Sequence, residues 1–328
     1  MRYRMLGRTG FRISEVALGT WQVGGRWGEP FDEGNSERIL NRAVDLGINF
    51  IDTADVYGER LSERAIGRVL KHRSERVYVA TKCGRRLRPH SPANYSEANI
   101  RRFVDESLGN LGLEVIDLVQ LHCPPTEIYY NPAVFEVLDE LKKEGKILSY
   151  GVSVERVEEA LKAIEYPGLA TVQIIFNIFR QRPAELFFPQ AADKNIGIIV
   201  RVPLASGLLS GKITERTKFG EKDHRFFNRE GKAFDRGETF AGVDFASGLR
   251  AVRELEEVFP DPEYLARYAL RWVLMFDQVS CVIPGASRSS QVEDNAGASD
   301  MPPLSRNQME RIGEIYSQRI KPAVHQRW

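Results

Sequence analysis

Asn49-Phe50-Ile51-Asp52-Thr53-Ala54-Asp55-Val56-Tyr57-Gly58 is the stretch on which the reading of this chain turns. Ile48 to Ile51 is apolar, strand-forming sequence that stops abruptly at Asp52. A strand that surfaces at a carboxylate and turns back through Tyr57-Gly58 brings a carboxylate and a phenol into one cleft. With its unperturbed pKa of about 10, a phenol beside a carboxylate alone is a poor proton donor at neutral pH and needs a cation. The next apolar run, Val77 to Lys82, ends in one, and the run after it, Ile116 to His122, ends in a histidine. Three successive strands thus deliver Asp52, Lys82 and His122 at their C-terminal ends, with Tyr57 beside the first.

The same alternation extends in both directions. Residues 1–14 read as a short hairpin, Tyr3 to Leu6 and Phe11 to Ser14 around Gly7-Arg8-Thr9-Gly10, covering one end of the domain. Strands are predicted at Glu15–Trp21, up to Asp52, up to Lys82, up to His122, and at Lys146–Ser153, Ala170–Ile175, Gly197–Val202 and Val279–Pro284. Helical segments separate them: Ser36–Leu46, Ser62–Lys71, Ser96–Leu111, Pro132–Glu144, Glu155–Ile164, Ala184–Lys194, Ala246–Val258 with Pro262–Phe276, then Ser289–Gly297 and Ser305–Gln318. Near-continuous apolar strands indicate a sheet buried on both faces. Eight strand–helix units without a change of pattern favour a closed (β/α)8 TIM barrel over an open doubly wound α/β sheet. The expectation is therefore one domain over 1–328, with an N-terminal β-hairpin and extra C-terminal helices. Thr214–Thr239 is expected to be a mobile loop, Phe226-Phe227 either a lid or plain surface, and Trp328 a disordered end.

Bulk properties narrow the function classes. Among 328 residues the net charge is +1 with both signs interspersed, which offers nucleic acid and anionic membranes no electrostatic footprint. The N-terminus lacks the apolar core of a signal peptide, and no apolar run approaches the ~20 residues of a spanning helix. The three widely spaced cysteines, Cys83, Cys123 and Cys281, point to a reducing cytoplasm. Neither CxxC nor HxxxH spacing accompanies them, so no metal is expected.

In a barrel, chemistry collects at the C-terminal strand ends. Here those ends read Trp21, Asp52, Lys82, His122, Ser153, Gln173, Arg201 and Pro284. Most are polar groups for which pure packing has no use. With Gly47 to Gly58, Ser62-Glu63, Thr81-Lys82, Leu121-His122, Gly151 to Ser153 and Ile283 to Ser287 in order along the whole chain, the sequence resembles the aldo-keto reductases. The resemblance implies hydride transfer between a nicotinamide cofactor and a small carbonyl or sugar substrate. Tyr57 matches the general acid, Asp52 and Lys82 the pair that lowers its pKa, and His122 the group that orients the carbonyl. Ser153 and Gln173 match the side chains holding the nicotinamide carboxamide, with Gly19, Thr20 and Trp21 beside them. The segment through Pro203, Leu204, Ser206, Gly207, Leu208, Ser210 and Lys212 matches the one crossing the pyrophosphate. Pro284, Gly285, Ser287, Arg288, Gln291, Asp294 and Asn295 match the grip on the adenosine end. Val154 stands where the family usually has Asn, and Arg201 where it often stacks an aromatic ring on the nicotinamide. Arg201 either lies on that ring or turns to the pyrophosphate or a loop carboxylate.

NADP(H) is the expected cofactor, because Ser287-Arg288-Ser289-Ser290-Gln291 sets a guanidinium and hydroxyls at a helix start where a 2′-phosphate binds well. No Gly-x-Gly-x-x-Gly follows a strand, which argues against a Rossmann domain. Tyr78 and Lys82 spell the YxxxK pairing of short-chain dehydrogenases, but on a strand they lie roughly 13 Å apart, and Tyr78 reads as barrel filling. A Schiff-base aldolase using Lys82 is opposed by Asp52, which keeps the amine charged. A regulatory barrel resembling the potassium-channel β subunits, binding the cofactor without turnover, is the non-enzymatic alternative. The sequence leaves the individual substrate and the oligomeric state open.

Overall fold

The computed structural model describes residues 1–24 and 30–328. Among the described residues there are ten strands: β1 Tyr3–Met5, β2 Arg12–Ser14, β3 Leu18–Gly19, β4 Phe50–Asp52, β5 Tyr78–Cys83, β6 Ile116–His122, β7 Ile147–Ser153, β8 Thr171–Ile175, β9 Gly197–Arg201 and β10 Val279–Val282. The last eight lie parallel in chain order. Val16 and Gly19 bridge in parallel to Val282 and Gly285, so the first strand meets the last and the sheet closes. The architecture is a (β/α)8 barrel.

Its helices follow the apolar stripes. Glu97–Leu111 is a representative case: Ser96 caps its start by accepting from the Asn99 amide, Ile100, Phe103, Val104 and Leu111 face the barrel, and left-handed Gly112 ends it. The helix Leu61–Leu70 is tied to the barrel by a buried acid, because Glu63 accepts from Thr81 Oγ1 at 2.6 Å and from Asn110 Nδ2 at 2.9 Å.

The β1–β2 hairpin closes the N-terminal end of the barrel, opposite the strand ends where the polar residues gather. Leu6, Phe11 and Ile13 pack there on Phe50, Leu118 and Ile199. Fully burying each of these side chains is worth roughly 1.5–3 kcal/mol. Gly7 is required at the contact, since a Cβ there would lie 2.1 Å from the Gly197 nitrogen. Tyr78 belongs to this end too, stacked on Phe11 at 4.6 Å.

Four expectations need correction. β3 is only Leu18–Gly19, and Trp21 sits in the following turn rather than on a strand. β8 runs on to Ile175, so Gln173 points into the barrel from mid-strand instead of ending it. Thr214–Thr239, expected as a loop, carries a short helix His224–Phe227 and a 3-10 turn Arg236–Glu238 folded over the cleft. Trp328 is ordered and only 6% exposed, reached through the helix Arg306–Ile315, the π-turn Tyr316–Ile320 and the helix Lys321–Val324. No helix among the described residues is long and apolar enough to cross a membrane.

Candidate active site

The parallel register assembles the centre. Asp52 pairs with Ala80, Lys82 with Gln120, and His122 with Ser153, so the ends of β4, β5, β6 and β7 stand side by side at one rim. The Lys82 ammonium is wholly buried and donates to Asp52 Oδ1, to the Thr53 carbonyl at 2.8 Å and to the Tyr57 hydroxyl at 3.3 Å. Gln173 and Gln120 donate to Asp52 Oδ2 at 2.8 and 3.2 Å. Both oxygens of this buried carboxylate are thereby satisfied, which removes most of the cost of keeping an ion pair out of water. The Tyr57 ring meets His122 edge-on at 5.9 Å, and both line the cleft.

Protonation follows from these contacts. Burial alone would lower Lys82, but Asp52 and Tyr57 override it and hold the ammonium above its ordinary range. Burial raises Tyr57, and Lys82 pulls it back without overcoming the effect, so the phenol stays above its usual value. This corrects the expectation of a net lowering: Lys82 limits a rise. Burial, then Arg85, Lys82 and Arg201, push His122 well below its ordinary value, leaving a neutral imidazole at neutral pH.

A cleft of about 960 Å³ runs from this centre across the C-terminal rim. Its walls include the expected Gly19, Thr20, Trp21, Asp52, Gln173, Arg201, Pro203, Leu204, Ser206, Gly207, Ser210, Lys212, Pro284, Gly285, Gln291, Asp294 and Asn295. Four residues expected there are not on the wall. Ser153 is buried, with its Oγ 3.6 Å from Cys123 Sγ. Leu208 turns into the core. Ser287 donates through both N–H and Oγ to Gln291 Oε1 at 2.8 and 3.2 Å, and Arg288 is exposed with Nε on Ser290 Oγ at 3.0 Å. Gln173 is on the wall, yet its amide is committed to Asp52.

Ala205, Ser206 and Gly207 are consecutively left-handed, with φ of 47°, 56° and 96°, and the Ala205 and Gly207 amides donate to the Val202 and Leu204 carbonyls at 3.1 and 2.9 Å. A Cβ at Gly207 would lie 3.3 Å from Ile213 Cδ1. Ser206 Oγ donates to the Glu238 carbonyl at 3.0 Å and accepts from the Phe240 amide at 3.1 Å, which links this segment to the 214–239 loop.

Three residues of the centre escaped the sequence reading in these positions. Gln120 was detectable as a polar residue inside an apolar strand. Arg85 was visible only as one charge among several in a loop. Glu238 carried no signal at all, since it arrives from the long insertion. Its Oε1 accepts from Arg85 Nη1 at 3.0 Å and sits 3.5 Å from Arg201 Nη1. Arg201 also donates to the Val154 carbonyl at 2.9 Å.

Comparison with known proteins agrees with this geometry. The family model described as "Aldo/keto reductase family" matches residues 15–317. The Bacillus subtilis aldo-keto reductase YhdN is 32% identical over 89% of this chain and 87% of its own. The Escherichia coli NADH-specific methylglyoxal reductase is 30% identical over 89% of this chain and 92% of its own. Among solved structures, the holo form of aldo-keto reductase AKR11C1 from Bacillus halodurans superposes with a TM-score of 0.79 at 29% identity, covering 100% of this chain and 99% of that one. With the match spanning nearly all eight strand–helix units and the rim that carries Asp52, Tyr57, Lys82 and His122, the chain belongs to the aldo/keto reductase family.

Proposed function

We propose that this one-domain barrel is an NADP(H)-dependent oxidoreductase that interconverts small aldehydes, ketones or sugar carbonyls with their alcohols. The observation that carries the reading is the buried Lys82 ammonium held between Asp52 and the Tyr57 hydroxyl, beside a cleft of about 960 Å³ that Tyr57 lines. Ser206, Ser210 and Lys212 line the cleft where they would meet a pyrophosphate, and Gln291 and Asn295 line it where they would meet an adenosine. A bound reduced nicotinamide supplies the hydride.

The protein handles the oxygen. Tyr57 is a protonated phenol at neutral pH and gives its proton to the carbonyl oxygen as negative charge develops there. Lys82 stabilises the phenolate left behind, and Asp52 keeps that lysine charged and in place. Neutral His122 hydrogen-bonds the same oxygen and sets the angle of approach. Arg288 and Ser290 at the start of the helix Ser289–Ala296 would select a 2′-phosphate. One relative is named as NADH-specific, so the cofactor preference rests on these two residues rather than on kinship.

The test is Tyr57→Phe. Cofactor binding is expected to persist while reduction of simple aldehydes falls by roughly 10²–10⁴, the worth of a placed general acid. Near-wild-type turnover in the variant overturns the assignment. A wild-type protein that binds cofactor but consumes none with reactive aldehydes would be a regulatory barrel instead.

A further inference from the structure

Beside His122 the cleft carries positive charge that the proposed mechanism does not use. Arg85 Nη1 lies 3.5 Å from His122 Nε2 and 3.0 Å from Glu238 Oε1. Arg201 approaches the same Oε1 at 3.5 Å. Two guanidiniums therefore share one carboxylate oxygen at the edge of the reacting centre. No group among the described residues accepts from Arg85 Nε or Nη2, while Arg85 itself lines the cleft. A further acid, Glu155, is pushed up to about 7 by burial and by Asp235 and Glu238, so it is only partly ionised at neutral pH.

Resting on the carbonyl reduction proposed above, we propose that Arg85, backed by Arg201, binds the carboxylate of substrates in which that group is bonded directly to the reacting carbonyl carbon, and that Glu238 fills the place when substrate is absent. A carbonyl oxygen held by Tyr57 and His122 puts the next atom of the substrate beside the guanidinium that already reaches His122 Nε2. A carboxylate there gains charge-assisted hydrogen bonds in a site built for one, as Glu238 demonstrates. A neutral substituent leaves the cations to Glu238. In the reaction the carbonyl carbon gains the hydride of the reduced nicotinamide, its oxygen gains the Tyr57 proton, and the carboxylate is unchanged: a 2-oxo acid becomes a 2-hydroxy acid. The competing explanation is that Arg85 merely positions His122, which would affect charged and neutral substrates alike.

The experiment compares glyoxylate with methylglyoxal, which carries an acetyl group where glyoxylate has its carboxylate. Wild type is expected to favour glyoxylate in kcat/KM. Arg85→Leu is expected to cut the glyoxylate-to-methylglyoxal ratio by roughly 10–100-fold, the worth of a hydrogen bond to a charged group. Glu238→Gln, which removes the resident competitor, is expected to raise it. A ratio in Arg85→Leu within about twofold of wild type overturns the proposal, because RT ln 2 is well below one such bond. If Arg85→Leu does not fold, Glu238→Gln decides alone, and no gain overturns it. If wild type reduces neither compound, the carbonyl reading fails by itself. Calorimetric titration with oxamate, a carboxylate that cannot be reduced here, then decides: binding that Arg85→Leu abolishes supports the subsite, and no binding to wild type overturns it.

Discussion

The indole N–H of Trp328 is shared between both carboxylate oxygens of Asp235, at 3.0 and 3.1 Å, across 93 positions of sequence. Asp235 in turn accepts from the Gly237 amide at 2.7 Å and starts the 3-10 turn that carries Glu238. The Arg180 guanidinium lies over the indole at 3.8 Å, and a Cβ at Gly242 would strike the ring at 2.3 Å. Trp328 therefore fixes the loop that places Glu238 against Arg85 and Arg201.

Trp328→Ala is expected to loosen that loop rather than the barrel. The buried ring is worth on the order of 3 kcal/mol to the segment it covers. Limited proteolysis within 214–239 is expected to become markedly faster, while circular dichroism of the barrel is retained. Unchanged cleavage of the loop would show that Trp328 does not hold it.

Lys82→Met is expected to act on Tyr57 through its pKa. Burial already raises the phenol and Lys82 limits the rise, so loss of the ammonium pushes it higher. Alcohol oxidation needs the phenolate as base, so its alkaline-rising limb is expected to move to higher pH and kcat to fall by roughly 10² or more. A limb at or below the wild-type pH would contradict the role given to Lys82. The variant also leaves Asp52 buried without its counter-ion, a loss of roughly 3–5 kcal/mol, which Asp52→Asn in the same chain is expected to relieve.

Asp55 is a second buried carboxylate, 2% exposed, and neither of its oxygens has a hydrogen-bond partner. Burial, then Glu63, raises it from 3.8 to about 7. Between those values the folded protein holds a proton that the unfolded chain has released, so this group's contribution to stability is full at low pH and is lost as pH rises through about 7. Asp55→Asn removes the ionisable group and keeps the shape. Relative to wild type it is expected to gain roughly 1–3 kcal/mol at pH 8 and little at pH 4, by denaturant unfolding at both. An equal difference at the two pH values would show that Asp55 does not titrate there.

Arg288→Ala tests the cofactor. Arg288 is exposed beside Ser290 at the start of its helix. Its loss is expected to weaken NADPH binding by roughly 10-fold or more and NADH binding hardly at all, as expected for one charge-assisted contact to a phosphate. Equal weakening of both, by fluorescence titration, would remove it from a 2′-phosphate site.

The barrel and its polar rim were legible along the chain because both rest on short-range regularities. Apolar runs of strand length alternate with helical stripes, and Asp52, Lys82 and His122 lie at or next to the ends of their strands, with Tyr57 in the turn beyond the first. Parallel register then brings strand ends together whatever the loops do. Gln120 and Gln173 show where that reading stops. Both sit inside strands, and only the barrel interior reveals that they spend their amides on Asp52. The encounter of Arg85 and Arg201 with Glu238 was further out of reach. Their meeting depends on the insertion folding back over the cleft under Trp328, and on Ser206 joining it to the segment after β9. Nothing local in the sequence encodes those long-range contacts, since any of the many charges in residues 214–239 satisfies the same composition. The amino-acid sequence by itself thus determined the barrel and the Asp52–Tyr57–Lys82–His122 centre. Only the tertiary structure decided which charges border that centre, because loop closure and burial, not periodicity, select them.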